Sequence, residues 1–221
     1  MKVWLFDYDL TLYGDEERCV INSLDHRISL FVQKTVGGDF ESAHKIRTDY
    51  LEKFGTTLAG LMAMNGTDPD EFFDFIHEPE YLTYPKRAPE KLSLLKSMEG
   101  PRFVFTNGRH DWSEAGMAHM GIAPAIDGVF DLKMMGWEGK PHKSAYEKME
   151  RWLAQKLPVM GFAMPADKRD IVLLEDSLRN LEPAYARGWT TVLVNPNVKA
   201  PAWVDYHIPH LMNLRDILRN L

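Results

Sequence analysis

The sequence predicts an α/β fold: a doubly wound parallel sheet with a helical subdomain inserted after its first strand. Three observations carry this expectation. Short apolar runs at Val3–Phe6, Arg102–Thr106, Ile171–Leu174 and Thr190–Val194 have the length and character of strands buried on both faces. Segments of helical periodicity alternate with the later runs, and strand–helix alternation argues for parallel pairing through right-handed crossovers. Between the first run and the rest, residues 15 to about 75 show helical spacing and no strand pattern.

The elements follow in order. Val3–Phe6 runs straight into Asp7, with Asp9 two residues on and Thr11 two after that. Val20, Leu24, Ile28 and Phe31 recur at three- and four-residue spacing, which marks an amphipathic helix ending before Gly37-Gly38. Phe40, Ala43, Ile46, Tyr50 and Phe54 continue the period in a second helix closed by Gly55. Thr57 to Met64 reads as a short third helix. Asp68-Pro69 supplies an N-cap and a proline at the first helical position, opening a fourth helix through Phe75.

Pro85 to Pro89 marks the return to the sheet domain, and Glu90 to Met98 reads as a helix. The strand RFVFT stops at Asn107-Gly108, a strong turn signal. A helix from Asp111 to Met120, a short strand at Val129-Phe130 and a helix from Lys143 to Leu157 come next. Ile171–Leu174 runs into Glu175-Asp176-Ser177; a helix spans Leu178 to Arg187, and Thr190–Val194 ends at Asn195-Pro196. Asp205–Ile208 is expected at a sheet edge and Leu211–Leu221 as a final helix. The expected division is therefore 1–14 with 85–221 as the α/β core, and 15–84 as the helical subdomain.

Composition narrows the function. At 221 residues, 45% hydrophobic and 26% charged, the chain is ordinary for a soluble globular protein. A net charge of −6 gives no electrostatic case for a nucleic-acid partner. No apolar run approaches a membrane span. The single cysteine, Cys19, and the lack of an apolar signal region before Asp7 lead to the expectation of a cytoplasmic protein.

Four polar clusters then stand out: Asp7/Asp9, Thr106-Asn107, Lys140 and Glu175-Asp176. Each alone has a structural explanation, as turn, solvated lysine or helix cap. Three of the four, however, directly follow strands of one sheet, where open α/β sheets bind ligands. Together they supply carboxylates, a hydroxyl, turn amides and a cation, a set suited to phosphoryl transfer. Carboxylates at Asp7 and Asp176 can hold Mg²⁺, which takes oxygen ligands. Lys140 can offset phosphate charge and Thr106 can donate to a phosphoryl oxygen. One carboxylate can serve as nucleophile and a second as acid and base.

These stretches resemble a known family. FDYDLTLY is similar to the first motif of the haloacid dehalogenase (HAD) superfamily, VFTNG to its second, GKPHKSAYEK to its third and LLEDSLRN to its fourth, in the family's order across residues 3 to 180. The tyrosine after DLTL, the stretch YLEKFGTTLAGLM and EDSLRN resemble the pyrimidine 5′-nucleotidase-like branch. The resemblance implies a Rossmann-like core with a helical cap, Asp7 as nucleophile and Asp9 as general acid/base. It implies Thr106 and Lys140 as phosphate-binding groups, with Asn107 presenting its backbone amide. Mg²⁺ would be held by Asp7, Asp176 and the Asp9 carbonyl, with Glu175 ligating or orienting.

The expected reaction is hydrolysis of a small phosphorylated metabolite through an aspartyl-phosphate, with pyrimidine nucleoside monophosphates first among substrates. A sugar phosphomutase is the alternative, because Glu175-Asp176 is similar to that branch. A non-catalytic binding protein is disfavoured, because no site residue is missing. The chain departs from the nucleotidase-like pattern at Leu10, where a small or polar residue is usual. It also departs at Ala59 and Asn65, which stand in place of an arginine and a histidine.

Overall fold

A computed structural model describes residues 1–221. Six strands form one all-parallel sheet: β1 (Val3–Phe6), β2 (Arg102–Phe105), β3 (Gly128–Phe130), β4 (Ile171–Glu175), β5 (Thr190–Val194) and β6 (Tyr206–Ile208), in the order β3-β2-β1-β4-β5-β6. This is the doubly wound order. β1 lies at the switch point, with β2 on one side and β4 on the other. The register sets Phe6 beside Val104 and Leu174, so the three chains leave the sheet at one level. Every residue of β1 and β4 is buried, which explains their unbroken apolar character.

The chain between β1 and β2 is helical: α1 (Cys19–Val36), α2 (Phe40–Phe54), α3 (Thr57–Asn65) and α4 (Pro69–Ile76), then α5 (Pro89–Ser97). Local sequence sets the boundaries. Asp39 caps α2 by accepting from the Ser42 amide, Thr56 caps α3 through Ala59, and Asp68 caps α4 through Asp70 and Glu71 with Pro69 at the first position. α1 to α4 pack on one another around rings such as Phe31 and Phe72, whose centroids are 5.2 Å apart. Their apolar faces are not a separate core: Leu24, Phe31, Leu58 and Phe73 belong to the same cluster of 50 buried residues as the sheet. α6 (His110–Met120), α7 (Lys143–Val159) and α8 (Leu178–Ala186) complete the crossovers.

Polar contacts from four side chains also bridge the helical segment and the sheet region. Arg179 donates to the carbonyls of Leu51 and Glu52 at 2.9 Å each, closing the end of α2, and the His142 ring meets the Phe54 carbonyl at 2.8 Å. Arg109 pairs with Asp74 at 2.7 Å and Lys133 with Asp70 at 3.4 Å.

Three expectations change. The final helix shrinks to a 3₁₀ turn at Leu211–Asn213 followed by α9 (Leu214–Ile217). Leu211 and Leu214 are the buried residues of this stretch, and one turn suffices to bury both. Asp205 stays out of β6 because its carboxylate accepts from the Thr191 amide at 2.8 Å and from both ends of the Arg169 guanidinium. Glu175, weighed as a cap residue, is instead the fully buried last residue of β4. No helix is long and apolar enough to cross a membrane.

Candidate active site

The three chains leaving β1, β2 and β4 deliver Asp7, Thr106 and Asp176 to one crevice, with Glu175 at its floor. The Asp7 amide donates to the Leu174 carbonyl at 2.9 Å and the Thr106 amide to the Phe130 carbonyl at 3.1 Å, so the ladders hold both residues just beyond the strands. Lys140 arrives from the loop before α7 and is fully buried. Its Nζ donates to Asp7 Oδ1 at 2.8 Å and to Glu175 Oε2 at 2.6 Å. Burial alone would depress the Lys140 pKa, but the two carboxylates outweigh it and the net shift is upward.

Asn107 fixes the lysine loop. Its Nδ2 donates to the Lys140 carbonyl and its Oδ1 accepts from the Lys140 amide, both at 2.8 Å. The side chain is thus committed, and the backbone is what remains to offer a ligand. Gly139 makes this approach possible, since a Cβ there would stand 2.4 Å from Asn107 Oδ1. Thr106 Oγ1 accepts from the Gly108 amide at 2.9 Å, which leaves its O–H free to donate.

Asp7, Glu175 and Asp176 bring carboxylate oxygens within 4.8 Å of one another. Glu175 has both oxygens engaged, one by Lys140 and the other by the Ser177 amide at 3.2 Å, which suits an orienting role better than a ligating one. Asp7 has one oxygen on Lys140 and the other without a protein partner. Burial first, and the neighbouring carboxylates next, push Asp7 up to about 8 and Asp176 up to about 9. One lysine does not balance two buried carboxylates and a half-buried third. A hard divalent cation on Asp7 and Asp176 fits the oxygen donors and the charge deficit alike.

The sign of the pH dependence follows. Folded-state values above the ordinary value of 3.8 mean that the folded protein holds protons which the unfolded chain has released. The stability that these two carboxyls contribute to the metal-free protein is therefore full below about pH 3.8. It is expected to fall as pH rises toward about 8 and 9. Melting curves from pH 5 to 9 in EDTA should show this decline, and millimolar Mg²⁺ should restore most of the loss at the alkaline end. A flat profile unmoved by Mg²⁺ would reject the site.

Asp9 stands apart, toward the helical segment. Tyr13 donates to its Oδ1 at 2.6 Å and Trp112 Nε1 to the same oxygen at 3.1 Å. Burial raises its pKa, against these two hydrogen bonds. Leu10, next in the chain, has a φ of +58°. A leucine carries strain there. Asp9, Asn107, Gly108 and Leu132 form the floor of a chamber of about 240 Å³ whose walls come from α1 to α4. Ile21, Leu24, Leu58, Phe72 and Phe73 make it largely apolar. Its polar wall residues are Thr56, Thr57, the Asp25–Arg47 ion pair and His77, whose ring nitrogens have no hydrogen-bond partner and whose pKa burial pulls down to about 4.

The structure therefore gathers Asp7, Lys140, Glu175, Asp176, Thr106 and Asn107 in one crevice and sets Asp9 at the mouth of the chamber. Sequence reasoning missed Tyr13 and Trp112 as partners of Asp9, and Asp25, Arg47 and His77 as chamber residues. Tyr13 carried a signal, four residues after Asp9; Trp112, 103 residues away, carried none. Ala59 and Asn65 are not among the chamber's lining residues; the Asn65 side chain instead accepts from the Tyr50 hydroxyl at 3.1 Å, on the surface.

No family model matches the chain. Solved structures of HAD-family hydrolases share its fold over nearly their whole length. A HAD phosphatase from Thermococcus onnurineus is 20% identical, with a TM-score of 0.63, covering 99% of this chain and 98% of that one. The putative HAD-hydrolase YfnB from Bacillus subtilis, described as bound to magnesium and showing interdomain movement, is 18% identical, also at 0.63, with 99% and 98% covered. L-2-haloacid dehalogenase from Xanthobacter autotrophicus, with chloropropionic acid covalently bound, is 18% identical at a TM-score of 0.58, with 100% and 99% covered. The chain has the HAD fold.

Proposed function

We propose that this protein is a Mg²⁺-dependent phosphomonoester hydrolase that works through a phosphorylated Asp7. The observation that carries this reading is one cluster: a strand-end carboxylate with one free oxygen, buried against a lysine, with a second acid two residues on. Asp7 attacks phosphorus. Its new O–P bond forms as the bond to the leaving oxygen breaks, and Asp9 gives that oxygen its proton. Asp9 then takes a proton from water as the water oxygen attacks phosphorus. The Asp7–phosphorus bond breaks, releasing phosphate and restoring both carboxyl groups. Lys140, the Thr106 hydroxyl and the Asn107 amide hold the phosphoryl oxygens. Mg²⁺ on Asp7, Asp176 and the Asp9 carbonyl would supply charge neutralisation that lets an anionic nucleophile approach an anionic ester. Glu175 orients Lys140.

Residues 15–84 act as the cap, and the chamber beneath them takes the leaving group. A cavity of about 240 Å³ fits a small metabolite and excludes folded proteins and long nucleic acids. Its walls favour a leaving group with a planar or apolar face, for Phe73 and His77, and a polar edge, for Asp25 and Arg47. Pyrimidine nucleoside monophosphates answer that description, the base supplying both the planar face and the polar edge. The test is kcat/KM for UMP, CMP, AMP, GMP and a set of sugar phosphates. UMP or CMP is expected to lead. Sugar phosphates ahead by more than about tenfold, roughly 1.4 kcal/mol of transition-state binding, would end the nucleotidase reading and leave the hydrolase. A sugar phosphate isomerised without net phosphate release would make the protein a mutase.

A further inference from the structure

We propose that Tyr13 and Trp112 are positioning residues that fix which oxygen of Asp9 exchanges a proton with the leaving group. The proposal rests on the hydrolase reading above. Both donors meet the same atom, Oδ1, at 2.6 and 3.1 Å. The indole N–H can only donate, so it occupies one lone pair of Oδ1. The tyrosine hydroxyl takes a second lone pair of the same oxygen. When the carboxyl is protonated, the proton is left to Oδ2.

Oδ2 is also the oxygen in the right place. A Cβ added to Gly108 would lie 3.8 Å from it, so it faces the loop that carries Thr106 and Asn107, at the chamber floor. Without the two donors the carboxyl could rotate about its Cβ–Cγ bond and present either oxygen. With them, the rotation that swaps the oxygens breaks two buried hydrogen bonds.

The donors are themselves held. Tyr13 and Trp112 are buried, and both meet the Tyr8 ring edge-on, with centroids 5.4 and 6.2 Å away. Gly116 leaves the space for Tyr8, since a Cβ there would fall 1.5 Å from its hydroxyl. Two rings from the chain between β1 and β2 lie against the indole: His77 stacks at 5.5 Å and 11°, and Tyr84 lies at 5.4 Å. His77 also lines the chamber. The helical segment thus packs against the indole that holds the acid.

The test is kcat/KM across p-nitrophenyl, phenyl and alkyl phosphates for wild type, Tyr13→Phe and Trp112→Phe. Each variant keeps a ring and loses one donor, and melting curves confirm that each folds. A misaimed acid hurts most where the leaving group needs its proton. The alkyl ester is expected to lose about 10- to 100-fold and p-nitrophenyl phosphate less than about threefold, giving a steeper dependence on leaving-group pKa. Parallel losses on all esters, or no loss, in both folded variants would overturn the proposal while the hydrolase reading stands. A wild type inert toward every ester would overturn both.

Discussion

Asp7→Asn is expected to lower kcat at least ~10⁴-fold, as loss of a covalent nucleophile does, while the protein stays folded. The amide matches the carboxylate in shape and can still accept from Lys140, which keeps its contact with Glu175 at 2.6 Å. It cannot form the phosphoryl bond. Stability should not fall, because the change removes one of three clustered, mutually repelling carboxylates. In metal-free buffer at pH 8 the variant should melt at or above the wild-type temperature. Trapping gives a direct readout: borohydride added during turnover should reduce an aspartyl-phosphate in the wild-type peptide that contains Asp7, and leave the variant unmodified. Full activity in the folded variant, or a trapped residue elsewhere, would assign the nucleophile to another group.

Lys140→Met is expected to cost both activity and fold. Methionine fills the tunnel of the lysine stem but leaves Asp7 and Glu175 buried without their cation. Breaking a buried ion pair by removing one partner costs about 3–5 kcal/mol. At about 2–4 °C per kcal/mol for a chain of this size, the melting temperature should drop by roughly 6–20 °C. Asp7 can recover part of this by taking up a proton, so the deficit should be larger at pH 8 than at pH 5. Adding Glu175→Gln should return much of the stability and none of the activity, since the second change removes an unpaired charge but restores no phosphate-binding cation. Equal melting temperatures for wild type and Lys140→Met would mean that the buried contacts contribute nothing to the fold.

Much of this was legible in the sequence, for a physical reason. Strands buried on both faces must be apolar throughout, so Val3–Phe6 and Ile171–Leu174 announced themselves, and the acids that interrupt such runs fell at strand ends. Asp68-Pro69 and Asp39 marked helix starts because capping is local chemistry. The final helix misled because leucine spacing of three or four also suits a single turn resting on a core. Trp112 as a partner of Asp9 and the polar pair in the chamber wall were beyond reach, because no local rule links Asp9 to Trp112 or Asp25 to Arg47. Those contacts exist only once four helices fold over the sheet.

The contacts of Arg179, His142, Arg109 and Lys133 with the helical segment bear on speed. Two are exposed ion pairs worth at most about 1 kcal/mol each, and two hold backbone carbonyls at the end of α2. On the proposed reading they form a latch that must release before the dephosphorylated alcohol can leave. A latch half made of ion pairs loosens as salt rises. Where escape, rather than bond-breaking, limits turnover, kcat then climbs with ionic strength and falls with solvent viscosity, a kinetic signature written in the surface rather than in the catalytic crevice.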